Sequence, residues 1–180
     1  MTRAIVVVLT TSLLIPGAVL AQDQASAQVK RGEYLVTTSL CHDCHIPLMN
    51  GPDGPAPDMK RALSGHPQDI TIRQPANVQE PWAGAMSATL TAWSGPWGVS
   101  FSANLTPDPE TGVLRDFSEE QFVQTLRTGR HQGQGRQILP PMPWPLIGQM
   151  TDDDLKAIFV YLKQIPPVRN KVPDPIPPRP

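Results

Sequence analysis

The sequence predicts a small helical domain with one core and long proline-rich connections, and three observations carry that expectation. Three stretches place apolar residues at helical spacing. Twenty-two prolines in 180 residues interrupt helices and central strands nearly everywhere else. The only 2 cysteines stand together in the run Cys41-His42-Asp43-Cys44-His45. Hydrophobic residues make up 39% of the chain, which suits one ordinary core. Loops so rich in proline need a further surface to pack on.

The N-terminus reads as an export signal over residues 1–21. Arg3 supplies the positive start, Ala4 to Leu14 is apolar, Pro16-Gly17 breaks the run, and Val19-Leu20-Ala21 offers small residues for cleavage before Gln22. Ala25-Ser26-Ala27 is a second cleavage candidate. An uncleaved anchor is the alternative, but the apolar run is short of the roughly 20 residues a membrane span requires. The expected location is therefore periplasmic, with no integral membrane segment after cleavage.

From about Gln28, Val29, Gly32, Leu35, Val36 and Leu40 fall on one stripe and predict the first helix of the exported domain. Gly32 costs helix stability relative to alanine. Either it lets another helix come close or it is simply tolerated.

The cysteine run follows at once. Two thiols three residues apart with an imidazole next in line are what covalent haem attachment needs: each sulfur joins one vinyl group, and a helical turn brings His45 under the iron as proximal ligand. Structural zinc would want four protein ligands, and no further cysteine or His-x3-5-His pair is present. A thioredoxin-like pair belongs at a strand-to-helix junction, whereas a helical pattern precedes this one and prolines follow. A disulfide closing so short a loop would brace little. The reading is one haem c, bound through Cys41, Cys44 and His45.

Ile46-Pro47 then turns the chain, and Pro52, Pro55 and Pro57 keep it non-helical as far as a short helix near Met59 to Leu63. The loop carrying Pro47 is the expected source of a carbonyl for the second ring nitrogen of His45, or Pro47 is only a turn residue. Residues 65–102 show no period apart from a short helical pattern over Ser87 to Ala92, yet hold Trp82, Trp93 and Trp97. These rings either line the haem crevice or form a satellite cluster under a loop. Asn104 to Gly112 is turn-rich. Its polar groups are candidate donors to haem propionates.

Ser118 to Gln121 has capping-box form and opens a second helix with Phe122, Val123 and Leu126 on its apolar face, closed by Gly129. A third helix starts at Thr151 behind three aspartates, which suit its dipole, and carries Leu155, Ile158, Phe159 and Leu162 inward. Residues 169–180 form a proline-rich tail expected to run extended over the surface.

Between the second and third helices lies Pro140-Pro141-Met142-Pro143. The flanking prolines restrict the backbone enough to hold a thioether in place, so Met142 is the expected sixth iron ligand opposite His45. His66 and His131 are the imidazole alternatives. Met49, Met59, Met86 and Met150 lack this flanking rigidity.

On these residues the chain resembles the class I c-type cytochromes, and within them the bacterial domains found as monohaem proteins or in cytochrome subunits of dehydrogenases. The resemblance runs through Gly32-Glu33-Tyr34-Leu35, Cys41 to His45, Asn104-Leu105-Thr106-Pro107-Asp108, Leu126-Arg127-Thr128-Gly129, Pro140 to Pro143 and Asp154 to Ile158. It implies an all-α fold over 28–168, with helices wrapped around one covalent haem and the first and last helices crossing where Gly32 faces an aromatic such as Tyr161. It implies a one-electron carrier with His45/Met142 ligation, not an enzyme, working with redox protein partners: a dehydrogenase, an oxidase or another cytochrome. A subunit docked to such a complex is the second reading, and a ligand-binding haem sensor or enzyme the third. The formal net charge is −1, and loss of Arg3 with the signal makes it −2, so nothing here favours nucleic acid.

Overall fold

A computed structural model describes residues 16–179, with side chains from residue 23 onward. Most of the predicted signal, residues 1–15, lies outside the described residues. Five helices and five short strands follow in the order α1 (Pro16–Thr38), α2 (Cys41–His45), β1 (Leu48–Gly51), β2 (Gly54–Pro57), β3 (Ala85–Met86), β4 (Ala92–Gly95), β5 (Gly98–Phe101), α3 (Glu119–Thr128), α4 (Trp144–Ile147) and α5 (Asp152–Leu162). No helix among the described residues is long and apolar enough to cross a membrane.

The core is helical. Leu35 and Val36 of α1, Phe122, Val123 and Leu126 of α3, and Leu155, Ile158, Phe159 and Leu162 of α5 are buried together, and the Phe122 and Phe159 rings lie 5.4 Å apart. Both long downstream helices start as their sequences specify. Ser118 accepts from the Gln121 amide while the Gln121 side chain returns to the Ser118 amide. Thr151 accepts from the Asp154 amide. Gly129 ends α3 in the left-handed region, at φ 66°.

α1 and α5 cross at Gly32. A β-carbon there would stand 2.6 Å from Tyr161 Cβ and 2.7 Å from the Ala157 carbonyl carbon, inside van der Waals contact. The glycine is therefore required by a close approach and is not merely tolerated.

The all-α expectation needs correction, because the loops between α2 and α3 are partly sheet. β1 and β2 form an antiparallel hairpin whose prolines, Pro55 and Pro57, sit on strands with one partner each, where a missing N–H is tolerated. β3, β4 and β5 form a three-stranded antiparallel sheet in that order. Residues 87–90 make the β3–β4 turn, with the Ser87 amide donating to the Ala92 carbonyl, and not the short helix their spacing suggests. The helix near Met59 is a single 3-10 turn, Met59–Arg61.

Beyond α5 the chain returns across the molecule without helix. Asn170, 4% exposed, donates from Nδ2 to the Ser64 and His66 carbonyls at 2.7 and 2.8 Å and accepts from the Gln68 amide at 2.9 Å. Further on, Ile176 pairs with Val99, each amide donating to the other's carbonyl. Residues 166–177 thus form a strap, fastened to residues 64–68 through Asn170 and to the edge of β5 through Ile176.

Candidate functional site

One apolar cleft opens between α2, β5, α3 and the segment before α4. Apolar side chains make up most of its wall, as in sites that take a largely apolar organic ligand. Cys41, Cys44, His45 and Met142, the four residues singled out by the sequence, all line it. Phe117, Phe122, Leu126, Ile158 and Leu162 add an apolar wall from α3, α5 and the loop before α3.

His45 is 7% exposed, and burial pushes its imidazole below the ordinary histidine range, only partly offset by its hydrogen bond to Ala103. The neutral ring has one N–H. Its Nδ1 lies 2.8 Å from the Ala103 carbonyl oxygen, and a carbonyl can only accept, so Nδ1 carries the proton and Nε2 keeps its lone pair. That is the tautomer a metal ligand needs. The acceptor is not in the loop of Pro47, whose carbonyl instead receives the Asp58 amide; it comes from 58 residues further along the chain.

Gly65 makes that approach feasible. It stands at φ +77°, its amide donates to the His45 carbonyl, and a β-carbon on it would fall 2.5 Å from the Ala103 carbonyl oxygen. A left-handed glycine is what lets residues 102–103 come beside His45.

The two cysteines are free. Burial raises the Cys41 thiol to about 11, and burial followed by the Asp43 charge raises Cys44. Both stay protonated near neutral pH, the opposite of the lowered values that mark a redox-active pair. No group of three or more metal-ligating acidic, histidine or cysteine side chains is present among the described residues. Met142, half-buried, packs against the helical core.

The imidazole alternatives divide. His66 is fully buried, with Nδ1 3.0 Å from Thr91 Oγ1 and Nε2 3.0 Å from the Ile70 carbonyl; both nitrogens are engaged, and its role is structural. His131 lines the cleft. The tryptophans divide too: Trp93 lines the cleft, Trp97 packs over Gly95 and donates to Ser100, and Trp82 is exposed. In the turn-rich stretch expected to offer propionate donors, the Asn104, Thr106 and Asp108 side chains are engaged within the protein. Asn104 Nδ2 donates to the Val168 carbonyl at 2.8 Å, Thr106 bonds Asn104, and Asp108 accepts from the Thr111 amide and hydroxyl, so all three fasten the C-terminal strap or its footing. Sequence reasoning missed Ala103 and Gly65. Only the glycine left any local signal.

No protein-family model matches the chain. Among characterised proteins it is 32% identical over 161 residues to the cytochrome c subunit of the quinone-dependent alcohol dehydrogenase of Gluconobacter oxydans (strain 621H), covering 88% of this chain and 26% of that one. It is 31% identical over 145 residues to the gluconate 2-dehydrogenase cytochrome c subunit of Pantoea cypripedii, covering 80% and 25%. It is 30% identical over 162 residues to the fructose dehydrogenase cytochrome subunit of Gluconobacter japonicus, covering 86% and 26%. The chain spans about a quarter of the length of these relatives. The donor set fits the cofactor such names imply: two thiols, an imidazole presenting Nε2 and a thioether along one apolar cleft suit a haem c.

Proposed function

We infer, from the premise that this chain is a c-type cytochrome domain like those of dehydrogenase cytochrome subunits, that it is an exported one-electron carrier holding a single haem c. The observation that carries this reading is the convergence of Cys41, Cys44, His45 and Met142 on one apolar cleft, although Met142 lies far downstream of the other three. Cys41 and Cys44 would carry the haem covalently, and His45 Nε2 and the Met142 thioether would hold its iron. When bound, haem supplies one-electron cycling between ferric and ferrous iron, and a thioether ligand favours the ferrous state.

The chain's own residues do the rest. The Ala103 carbonyl fixes the His45 ring and its tautomer, which strengthens the imidazole as a donor. The wall from Phe117, Phe122, Leu126 and Ile158 excludes water and so limits solvent reorganisation around a changing charge. With His45 and Met142 both committed to the iron, no position would be left open to a substrate, and the domain would act as a carrier and not as an enzyme. The relatives' names favour redox partners of the dehydrogenase class, with this chain serving as a docked or shuttling cytochrome. The predicted signal over 1–21 favours the periplasm.

Spectroscopy on the exported holoprotein tests the reading. Acidified-acetone extraction of denatured protein should leave haem on the chain, with one haem per chain by pyridine haem quantitation. The weak red-edge band of ferric His/Met haem should be present and should vanish in Met142→Ala and Met142→His, the first variant becoming open to carbon monoxide. Complete extraction of haem would refute attachment. A band that survives in Met142→Ala would move the second ligand elsewhere.

A further inference from the structure

The segment after α3 folds back on itself. The His131 amide donates to the Arg136 carbonyl at 3.0 Å, the Gly135 amide donates to the His131 carbonyl at 2.7 Å, and Arg130 bridges Gln137. This small closed loop sets the His131 and Arg136 side chains near each other. Both line the apolar cleft, and both also line a second, polar cavity beside it.

No protein acid pairs with either one. Among the described residues neither takes part in an ion pair, and the one side-chain hydrogen bond of Arg136 is a long one, 3.5 Å, to the Gln137 carbonyl. Asp174 acts on Arg136 only from beyond ion-pair distance. Of the other bases around the polar cavity, Arg169 pairs with Glu110 and Arg115 with Asp116, while Lys171 lines that cavity alone and not the apolar cleft. Desolvation and then the Arg136 charge push His131 down to about 4, and desolvation lowers Arg136 too. An anion beside them would offset both effects.

An entirely apolar ligand in the cleft would leave this cationic corner uncompensated. Haem is apolar over most of its ring and carries two carboxylates on one edge, and the cleft is likewise apolar over most of its wall with one basic corner. We propose that Arg136 and His131 receive the propionate carboxylates of the haem, Arg136 by a charged hydrogen bond and His131 as a second donor. This rests on the haem c reading above. Both are positioning residues: they orient the ring edge, and Arg136 offsets its charge, which favours the ferrous state, since positive charge near the iron stabilises the more reduced form.

The test uses exported holoprotein of the wild type and of Arg136→Gln, Arg136→Lys and His131→Gln. The readout is the equilibrium constant for reduction against a fixed mediator, with the red-edge band and pyridine haem content recorded alongside. Arg136→Gln should lower that constant about tenfold, the order expected for loss of one charge near a partly buried site. Arg136→Lys should restore most of the loss, and His131→Gln should lower the constant by a smaller factor. A constant within twofold of wild type in Arg136→Gln, with haem and band intact, overturns the proposal. If Arg136→Gln does not mature, the decision passes to His131→Gln, where a lowered constant supports the proposal and an unchanged one overturns it. A wild type without covalent haem would instead refute the cofactor reading, and the pyridine assay reads that separately.

Discussion

Replacing Gly32 with alanine should destabilise the holoprotein even though alanine is the better helix former. The intrinsic preference favours alanine by about 1 kcal/mol in a helix interior. Against it stands the crossing with α5: the added carbon would lie 2.6 Å from Tyr161 Cβ and 2.7 Å from the Ala157 carbonyl carbon, with the Ala157 oxygen closer still. Two of these three atoms are backbone, so no rotamer change relieves the contact and the helices must separate. Overpacking of this kind typically costs ~1–3 kcal/mol. Because two of the contacts are unyielding backbone atoms, the cost lies at the upper end of that range, and subtracting the propensity gain leaves ~2 kcal/mol of destabilisation. For a domain of this size that corresponds to a melting temperature lower by about 4–8 °C. Gly32→Leu should be worse. Thermal and denaturant melts of holoprotein, followed by far-ultraviolet circular dichroism, give the measurement. If Gly32→Ala melts at or above the wild type, the close crossing is wrong.

Gly65→Ala should strain a residue held at φ +77° and press on the Ala103 carbonyl that accepts from His45; weakening that bond makes the imidazole a poorer donor to ferric iron, so the midpoint potential should rise, and an unchanged potential would separate Gly65 from the ligand. Asn170→Ala removes three hydrogen bonds of a buried side chain and leaves polar groups of residues 64, 66 and 68 short of a partner, at a cost of about 1–3 kcal/mol. The strap should then open locally, and hydrogen exchange at the Val99 amide, which donates to the Ile176 carbonyl, should speed up; unaltered protection there would show that the strap does not depend on Asn170.

The helices were legible because their signals are local. Ser118 and Thr151 lie within three residues of the groups they cap, and the apolar stripes of α3 and α5 repeat over two or three turns. The cysteine run, by its spacing, and Met142, by its flanking prolines, stand out locally too, and both line the one cleft. What escaped depends on pairing across distance. β3 is two residues long and β4 and β5 four each, too short to show an alternation, and serines and glycines occupy much of them. The acceptor for His45 lies 58 residues away, and no feature of Ala103 itself announces a carbonyl turned toward an imidazole. Asn104 and Thr106 look like surface turn residues by type, yet they are 1% and 0% exposed, because the strap of residues 166–177 lies over them. Their polarity serves that strap.

The crossing of the first and last helices also sets a problem in time. Arg31 of α1 meets Asp154 of α5 across a sequence separation of 123 residues, and closing a flexible loop of that length costs on the order of 4 kcal/mol of chain entropy before any contact repays it. Topologies dominated by such distant contacts fold slowly. The proposed attachment changes the arithmetic, because a group joined to Cys41 and Cys44 and also held by Met142 ties two points well inside that span. Only the short segments on either side then remain to be brought together. In this chain the cofactor would act on the unfolded ensemble as a cross-link does, so the holoprotein should refold faster than chain length alone predicts, and the crossing helices should be the elements that gain most.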